Sequence, residues 1–149
     1  MSNQVNIQVL CNDPDLYPTK ATLGSAAFDL RIDKVAYDNP CGFIKVHTGL
    51  RVAFPSDYVL LVYPRSGLAA KYGLRLANGV GVIDSDYRGE IMLMMDYSAE
   101  FSSVVKELQR GNRIAQAILQ PIPQTRFVFV KELSETVRGT GGFGHTGTK

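Results

Sequence analysis

Asn78-Gly-Val-Gly-Val-Ile-Asp-Ser-Asp-Tyr-Arg-Gly-Glu-Ile91 is the stretch on which the reading of this chain turns. Residues 80–83 form a short apolar run, expected to be a buried strand. Residues 84–89 gather Asp84, Ser85, Asp86 and Gly89, types that favour a tight turn through side-chain capping and permissive φ. A second apolar run, residues 91–95, completes what reads as a β-hairpin. Its tip carries Asp84, Asp86 and Tyr87, more ionisable chemistry than a turn requires. Asp-rich turns are nevertheless more often structural than catalytic, so position alone decides nothing.

Working outward, the chain reads as a succession of short strands. Val5, Ile7 and Val9 alternate with Asn6 and Gln8, the pattern of a half-buried strand. Phe28, Leu30 and Ile32 face one way and Asp29, Arg31 and Asp33 the other. Loops are expected at residues 12–19 and 39–42. Residues 43–54 and 58–63 are expected to pair around Pro55-Ser-Asp57, and residues 114–122 and 127–130 to make a final pair. The fold class implied is all-β, a barrel or jelly-roll-like sandwich. One short helix is expected at residues 66–72, where Ser66 can cap and Gly73 can terminate. Residues 102–109 fit a helix and a strand almost equally well.

With 149 residues, 45% hydrophobic and 20% charged, the chain is one domain of ordinary globular composition. A formal charge of +2 is too small to imply a nucleic-acid coat. Cys11 and Cys41 lack metal-ligand spacing and suit reduced thiols, although one disulfide stays open. Residues 1–10 lack the charged-then-apolar pattern of a secretory leader, and no apolar run approaches a membrane span, so a soluble, cytoplasmic protein is expected.

The tail, Arg138-Gly-Thr-Gly-Gly-Phe-Gly-His-Thr-Gly-Thr-Lys149, holds five of the fourteen glycines and one large apolar residue, Phe143. Such a segment cannot bury enough surface to offset its ordering entropy. It is expected to be a mobile segment, residues 138–149, beside a body of residues 1–137. Its peptide N–H groups, cations and aromatic ring suit closure over a flat anionic ligand; a frayed terminus is the plainer alternative. Gly139 to Gly144 match G-x-G-x-x-G without the flanking strand and helix of a dinucleotide site, and residues 142–149 mimic a phosphate loop with the last two residues inverted. Both are rejected. His47 and His145 do not form a zinc cluster, and Ser66 has no triad-like neighbour.

What remains are dispersed polar groups: Asp29, Arg65, Ser66, Arg113 and Gln116. Singly, each is a surface charge or a strand-end hydrogen bond. Together with their surroundings they resemble the trimeric dUTP diphosphatase (dUTPase) family along nearly the whole chain. Ser25-Ala-Ala-Phe-Asp-Leu30, Pro64-Arg-Ser-Gly-Leu68, Gly81-Val-Ile-Asp-Ser-Asp-Tyr-Arg-Gly89, Gly111-Asn-Arg-Ile-Ala-Gln116 and Arg138 to Gly147 are similar to its five motifs, in order. Ala27 departs from the usual glycine, and residues 98–110 are long for the family.

The resemblance implies a jelly-roll-like β-barrel and hydrolysis of dUTP to dUMP and pyrophosphate with Mg²⁺, which limits uracil in DNA and supplies dUMP. It makes Asp84 the general base and Asp29 a holder of Mg²⁺ through water. Arg65, Ser66, Gly67, Gln116 and, from the tail, Arg138 would bind phosphate. Asn78, Gly81, Tyr87, Met92 and Phe143 would bind uracil and deoxyribose, with Gly79 and Gly81 leaving little room for a thymine methyl. It also implies a homotrimer with shared sites, dUTP as the ligand, and no membrane or direct nucleic-acid partner. Alternatives are a dCTP deaminase of the same architecture, a dUTP-responsive interaction protein, and a carbohydrate or capsid β-module that would leave the dispersed motifs unexplained.

Overall fold

The computed structural model describes residues 4–37 and 42–143. Ten strands follow in chain order: β1 (Gln8–Leu10), β2 (Phe28–Arg31), β3 (Lys34–Ala36), β4 (Ile44–His47), β5 (Arg51–Ala53), β6 (Tyr58–Pro64), β7 (Arg75–Leu76), β8 (Gly81–Ile83), β9 (Met92–Asp96) and β10 (Arg113–Pro121). Helix α1 is Ser66–Tyr72 and α2 is Phe101–Val104. The strands form two four-stranded antiparallel sheets, β2-β10-β6-β8 and β3-β4-β9-β7, and a β1-β5 ribbon.

Period-two patterning explains why the sheets share one core. Leu60 and Val62 of β6, Ile44 and Val46 of β4, and Leu93 and Met95 of β9 all point inward and meet in a single cluster. In β10, Ile114 and Ala115 are both buried because the register to β2 shifts between Arg113 and Ala115. Such a bulge inserts one unpaired residue, here Ile114, and breaks the alternation.

The chain is all-β as expected, but three strand pairings differ. The 78–91 stretch is not a hairpin: β8 pairs with β6, whereas β9 pairs with β4 and β7 in the other sheet. The crossing is fixed because Ile91 N–H donates to Leu50 O, and the buried Thr48 hydroxyl donates to Ile91 O. Likewise β5 does not pair with β6; β1 takes β5, while β10 and β8 occupy the two edges of β6. Residues 127–130 form no strand with β10, whose edges are already filled by β2 and β6. They stay exposed, Phe129 at 99%.

Helix α1 ends as its sequence dictates. Gly73 sits at φ 62°, its N–H donating to Ala69 O, and a Cβ there would lie 1.8 Å from Ser98 Oγ. Ser66 does not cap the helix; Arg65 holds the N-cap position without a side-chain bond. The long 98–110 segment contains α2, a second helix beside the one expected. It packs on the body through Val104 and Leu108, through a hydrogen bond from the Tyr72 hydroxyl to Glu107, and through Arg110, which pairs with Asp13 and Asp33. Among the described residues no helix is long and apolar enough to cross a membrane. Cys11 is a free thiol; Cys41 and His145, with the 39–41 part of the expected turn, lie outside the described residues.

Candidate active site

The sheet β2-β10-β6-β8 builds the first half-site at the end where β6 runs into α1. Asp29 on β2 is opposite Gln116 on β10, which is opposite Tyr63 on β6. Arg65 and Ser66 follow directly where β6 ends. Register alone therefore gathers residues from three distant stretches into one open pocket of about 730 Å³. Its lining includes Asp29, Arg65, Ser66, Gly67, Arg113 and Gln116.

Two arginines hold one carboxylate there. Arg65 Nε lies 3.2 Å from Asp29 Oδ1, and Arg113 Nη1 lies 3.1 Å from Asp29 Oδ2. Arg65 also donates to Arg113 O, and the Gln116 amide donates to Pro64 O, so the whole arrangement is braced. Two guanidinium groups against one carboxylate leave an excess positive charge. Arginine keeps that charge and meets phosphate oxygens with a planar fork. Small residues, Ser25, Ala26 and Ala27, line the opposite side of this anion-suited cradle. Asp29 makes both pairs although Ala27 departs from the usual glycine.

The second half-site is a recess of about 170 Å³ lined by Val82, Ile83, Asp84, Tyr87, Glu90, Ile91 and Met92. Its turn is closed by Tyr87 N–H donating to Asp84 O, and Arg88 braces it with bonds to Ser85 O and Tyr87 O. Asp84 is exposed at the turn's start. The Tyr87 hydroxyl donates to Glu90 O at 3.0 Å.

The base of this turn rests on residues that motif reasoning passed over. Glu90 Oε2 accepts from His47 Nδ1 at 3.0 Å, and Glu90 Oε1 accepts from Gly49 N–H at 2.9 Å. Burial favours the neutral acid, but these two bonds and the nearby Lys34 charge prevail and hold the Glu90 carboxyl below its usual value. The only local signal was the polar pair His47-Thr48 closing a strand; nothing in the sequence linked it to Glu90.

Asn78 and Gly81 line neither pocket. Asn78 donates to Val80 O in the turn before β8, where Gly79 has φ 76°. At Gly81 a Cβ would sit 3.1 Å from Val62 Cβ, so a larger residue there would have to push Val62 aside by a few tenths of an ångström. Because β8 is an edge strand, its backbone groups facing away from β6 remain available. Arg138 and Phe143 also line neither pocket; Arg138 Nε donates to Gly141 O, and Phe143 is fully exposed at φ 44°.

The structure does not bring the two half-sites together. Asp29 and Asp84 lie on or beside opposite edge strands of one sheet. Three strand spacings of about 4.8 Å and four residues of about 3.3 Å along the strand put them about 20 Å apart.

Comparison with known proteins shows what the chain as a whole is similar to. The dUTPase family profile matches residues 15–147. Deoxyuridine 5'-triphosphate nucleotidohydrolase of Desulfitobacterium hafniense is 47% identical over 133 residues, covering 87% of this chain and 86% of that protein. The enzyme of the same name from Acinetobacter baumannii is 40% identical over 151 residues, covering 96% and 99%. In fold, the chain aligns with the Staphylococcus bacteriophage 80alpha dUTPase in complex with dUpNHpp at a TM-score of 0.76 and 23% identity, covering 96% of this chain and 99% of that one.

Proposed function

As a member of the dUTPase family this chain is a dUTP diphosphatase, and we propose that it releases dUMP and pyrophosphate at sites built between the subunits of a homotrimer. The separation of the half-sites carries this reading. A general base must come within about 3 Å of the water it activates, a reach that a separation of about 20 Å, from ideal strand spacings, does not allow within one chain and a neighbouring subunit would restore. The exposed run Phe127, Val128, Phe129 and Val130 supports it further, because a single chain leaves these side chains in water.

In this reading one subunit's cradle holds the triphosphate. Arg65, Ser66, Gly67 and Gln116 contact its oxygens, and Arg113 helps to orient Asp29. A second subunit supplies Asp84, which takes a proton from water as that water attacks the α-phosphorus; the bond from that phosphorus to the bridging oxygen breaks and pyrophosphate leaves. Uracil lies along the open edge of β8, read by Asn78, the Gly81 backbone and Met92, where main-chain groups can match its imide edge. Tyr87 lies against the sugar and leaves no room for a 2′-hydroxyl. Residues 138–149 act as a lid over the body formed by residues 1–137, bringing Arg138 to the phosphates and Phe143 over the uracil ring.

The residues present fit a role for Mg²⁺ held indirectly. Each Asp29 oxygen accepts from one arginine and keeps lone-pair capacity for a metal-bound water. Mg²⁺ binds mainly through substrate phosphates and keeps several waters, so one carboxylate reached through water is sufficient to hold it here. When bound, Mg²⁺ would neutralise charge developing on the phosphate oxygens.

The direct test is product analysis with dUTP, dCTP, dTTP and UTP beside an Asp84→Asn variant. The expected result is selective release of dUMP and pyrophosphate from dUTP, reduced by about 10²–10⁴-fold in the variant. Formation of dUTP from dCTP, or full activity in Asp84→Asn, would contradict it.

A further inference from the structure

The Tyr87 ring occupies a seat that other residues make. A Cβ on Gly89 would lie 2.2 Å from Tyr87 Oη and 2.4 Å from Cζ, so the ring rests directly on the Gly89 backbone. Its hydroxyl is anchored on Glu90 O. That carbonyl is itself fixed from behind: the Glu90 carboxylate is gripped by His47 Nδ1 and Gly49 N–H, and the next residue, Ile91, is tied at N–H by Leu50 and at its carbonyl by Thr48. Strand β4 and its following loop thus set the height and angle of a ring on a turn that is otherwise exposed.

We propose that Gly89 and the Glu90–His47 pair are positioning residues for sugar selectivity: by seating Tyr87 they set how strongly the enzyme prefers a 2′-deoxynucleotide to a ribonucleotide. This rests on the reading that Tyr87 faces the sugar. Discrimination against one hydroxyl requires a wall placed to a fraction of an ångström, and an exposed tyrosine free to swing would yield to the larger substrate. The carboxylate touches no substrate; it acts through the carbonyl of its own residue.

The experiment measures kcat/KM for dUTP and UTP in the wild type and in Tyr87→Ala, Tyr87→Phe, Gly89→Ala, Glu90→Ala, Glu90→Gln and His47→Ala. Tyr87→Ala is expected to lower the dUTP-to-UTP ratio most, and Gly89→Ala to approach it. Glu90→Ala should lower the ratio about five- to tenfold, the effect of releasing a held hydrogen-bond partner. Glu90→Gln keeps an acceptor oxygen and should recover most of the loss. In a Tyr87→Ala background, Glu90→Ala should change the ratio no further.

If Tyr87→Ala leaves the ratio unchanged, the placement of Tyr87 against the sugar fails and the seat with it. If Tyr87→Ala collapses the ratio while Gly89→Ala and Glu90→Ala keep it, or lower both substrates equally, the seat is overturned and the Tyr87 reading survives. Should Gly89→Ala fail to fold, Tyr87→Phe decides: it removes only the bond to Glu90 O, and an unchanged ratio there overturns the proposal.

Discussion

Replacing Thr48 by valine isolates the clip that carries the chain from the Asp84 turn into the second sheet. Thr48 is fully buried, and its hydroxyl donates to Ile91 O at 2.7 Å while accepting from Leu50 N–H at 3.2 Å. Valine fills nearly the same space but strands both backbone groups out of reach of water. Each buried, unsatisfied group costs about 1–3 kcal/mol, and the added apolar burial offsets about 0.8 kcal/mol. The net loss is about 1–5 kcal/mol, which for a chain of this size lowers Tm by about 2–20 °C. Thr48→Ser is the informative control, since it keeps the hydroxyl and loses only a methyl. Thermal unfolding followed by circular dichroism, at one fixed protein concentration, should rank the variants wild type, serine, valine. If Thr48→Ser falls as far as Thr48→Val, packing rather than the paired hydrogen bonds holds this corner, and the reasoning is refuted.

Three further outcomes follow from the same structure. Glu90 is held below its usual pKa, so its folded value lies under the unfolded one of about 4.3; the stability it contributes is present above the unfolded value and is lost as pH falls through the folded one. Glu90→Gln should therefore be less stable than the wild type near pH 7 and lose less on acidification below about pH 5; parallel Tm profiles would contradict this. Gly73→Ala must place a side chain at φ 62° and 1.8 Å from Ser98 Oγ. A loss of at least about 1 kcal/mol in denaturant unfolding is expected, and an unchanged midpoint would refute the helix-stop argument. Deleting residues 138–149 should leave the fold intact in circular dichroism and sharply reduce dUTP turnover; undiminished turnover would sink the lid.

The parts of this molecule that sequence made legible are those encoded locally. The α1 stop at Gly73 follows from helix-end chemistry, and the inward face of β2 follows from alternation. The motif residues Asp29, Arg65, Ser66, Gly67 and Gln116 were identified by resemblance, and the structure gathers them in one pocket by cross-strand register. Two pairings differ for one reason: adjacency in sequence suggests hairpins, whereas residues 55–57 and 84–91 carry the chain between sheets. Nothing local records that Thr48 and Leu50 capture Ile91. The 127–130 run reads as a strand by composition, yet both edges of β10 are already filled within the chain. The role of Glu90 was hidden because His47 lies 43 residues away.

A working site is expected to take its phosphate cradle and its Asp84 from different subunits. Complementation tests it most directly: co-express Asp84→Asn and Arg65→Ala chains in equal amounts, purify the mixed oligomers, and measure dUTP hydrolysis. Each parent alone should be nearly inactive. With random assembly, a site between subunits draws both intact halves in about one case in four, so mixed oligomers should recover about a quarter of wild-type turnover. Activity in the mixture no higher than in the parents would place both halves within one chain and contradict the account.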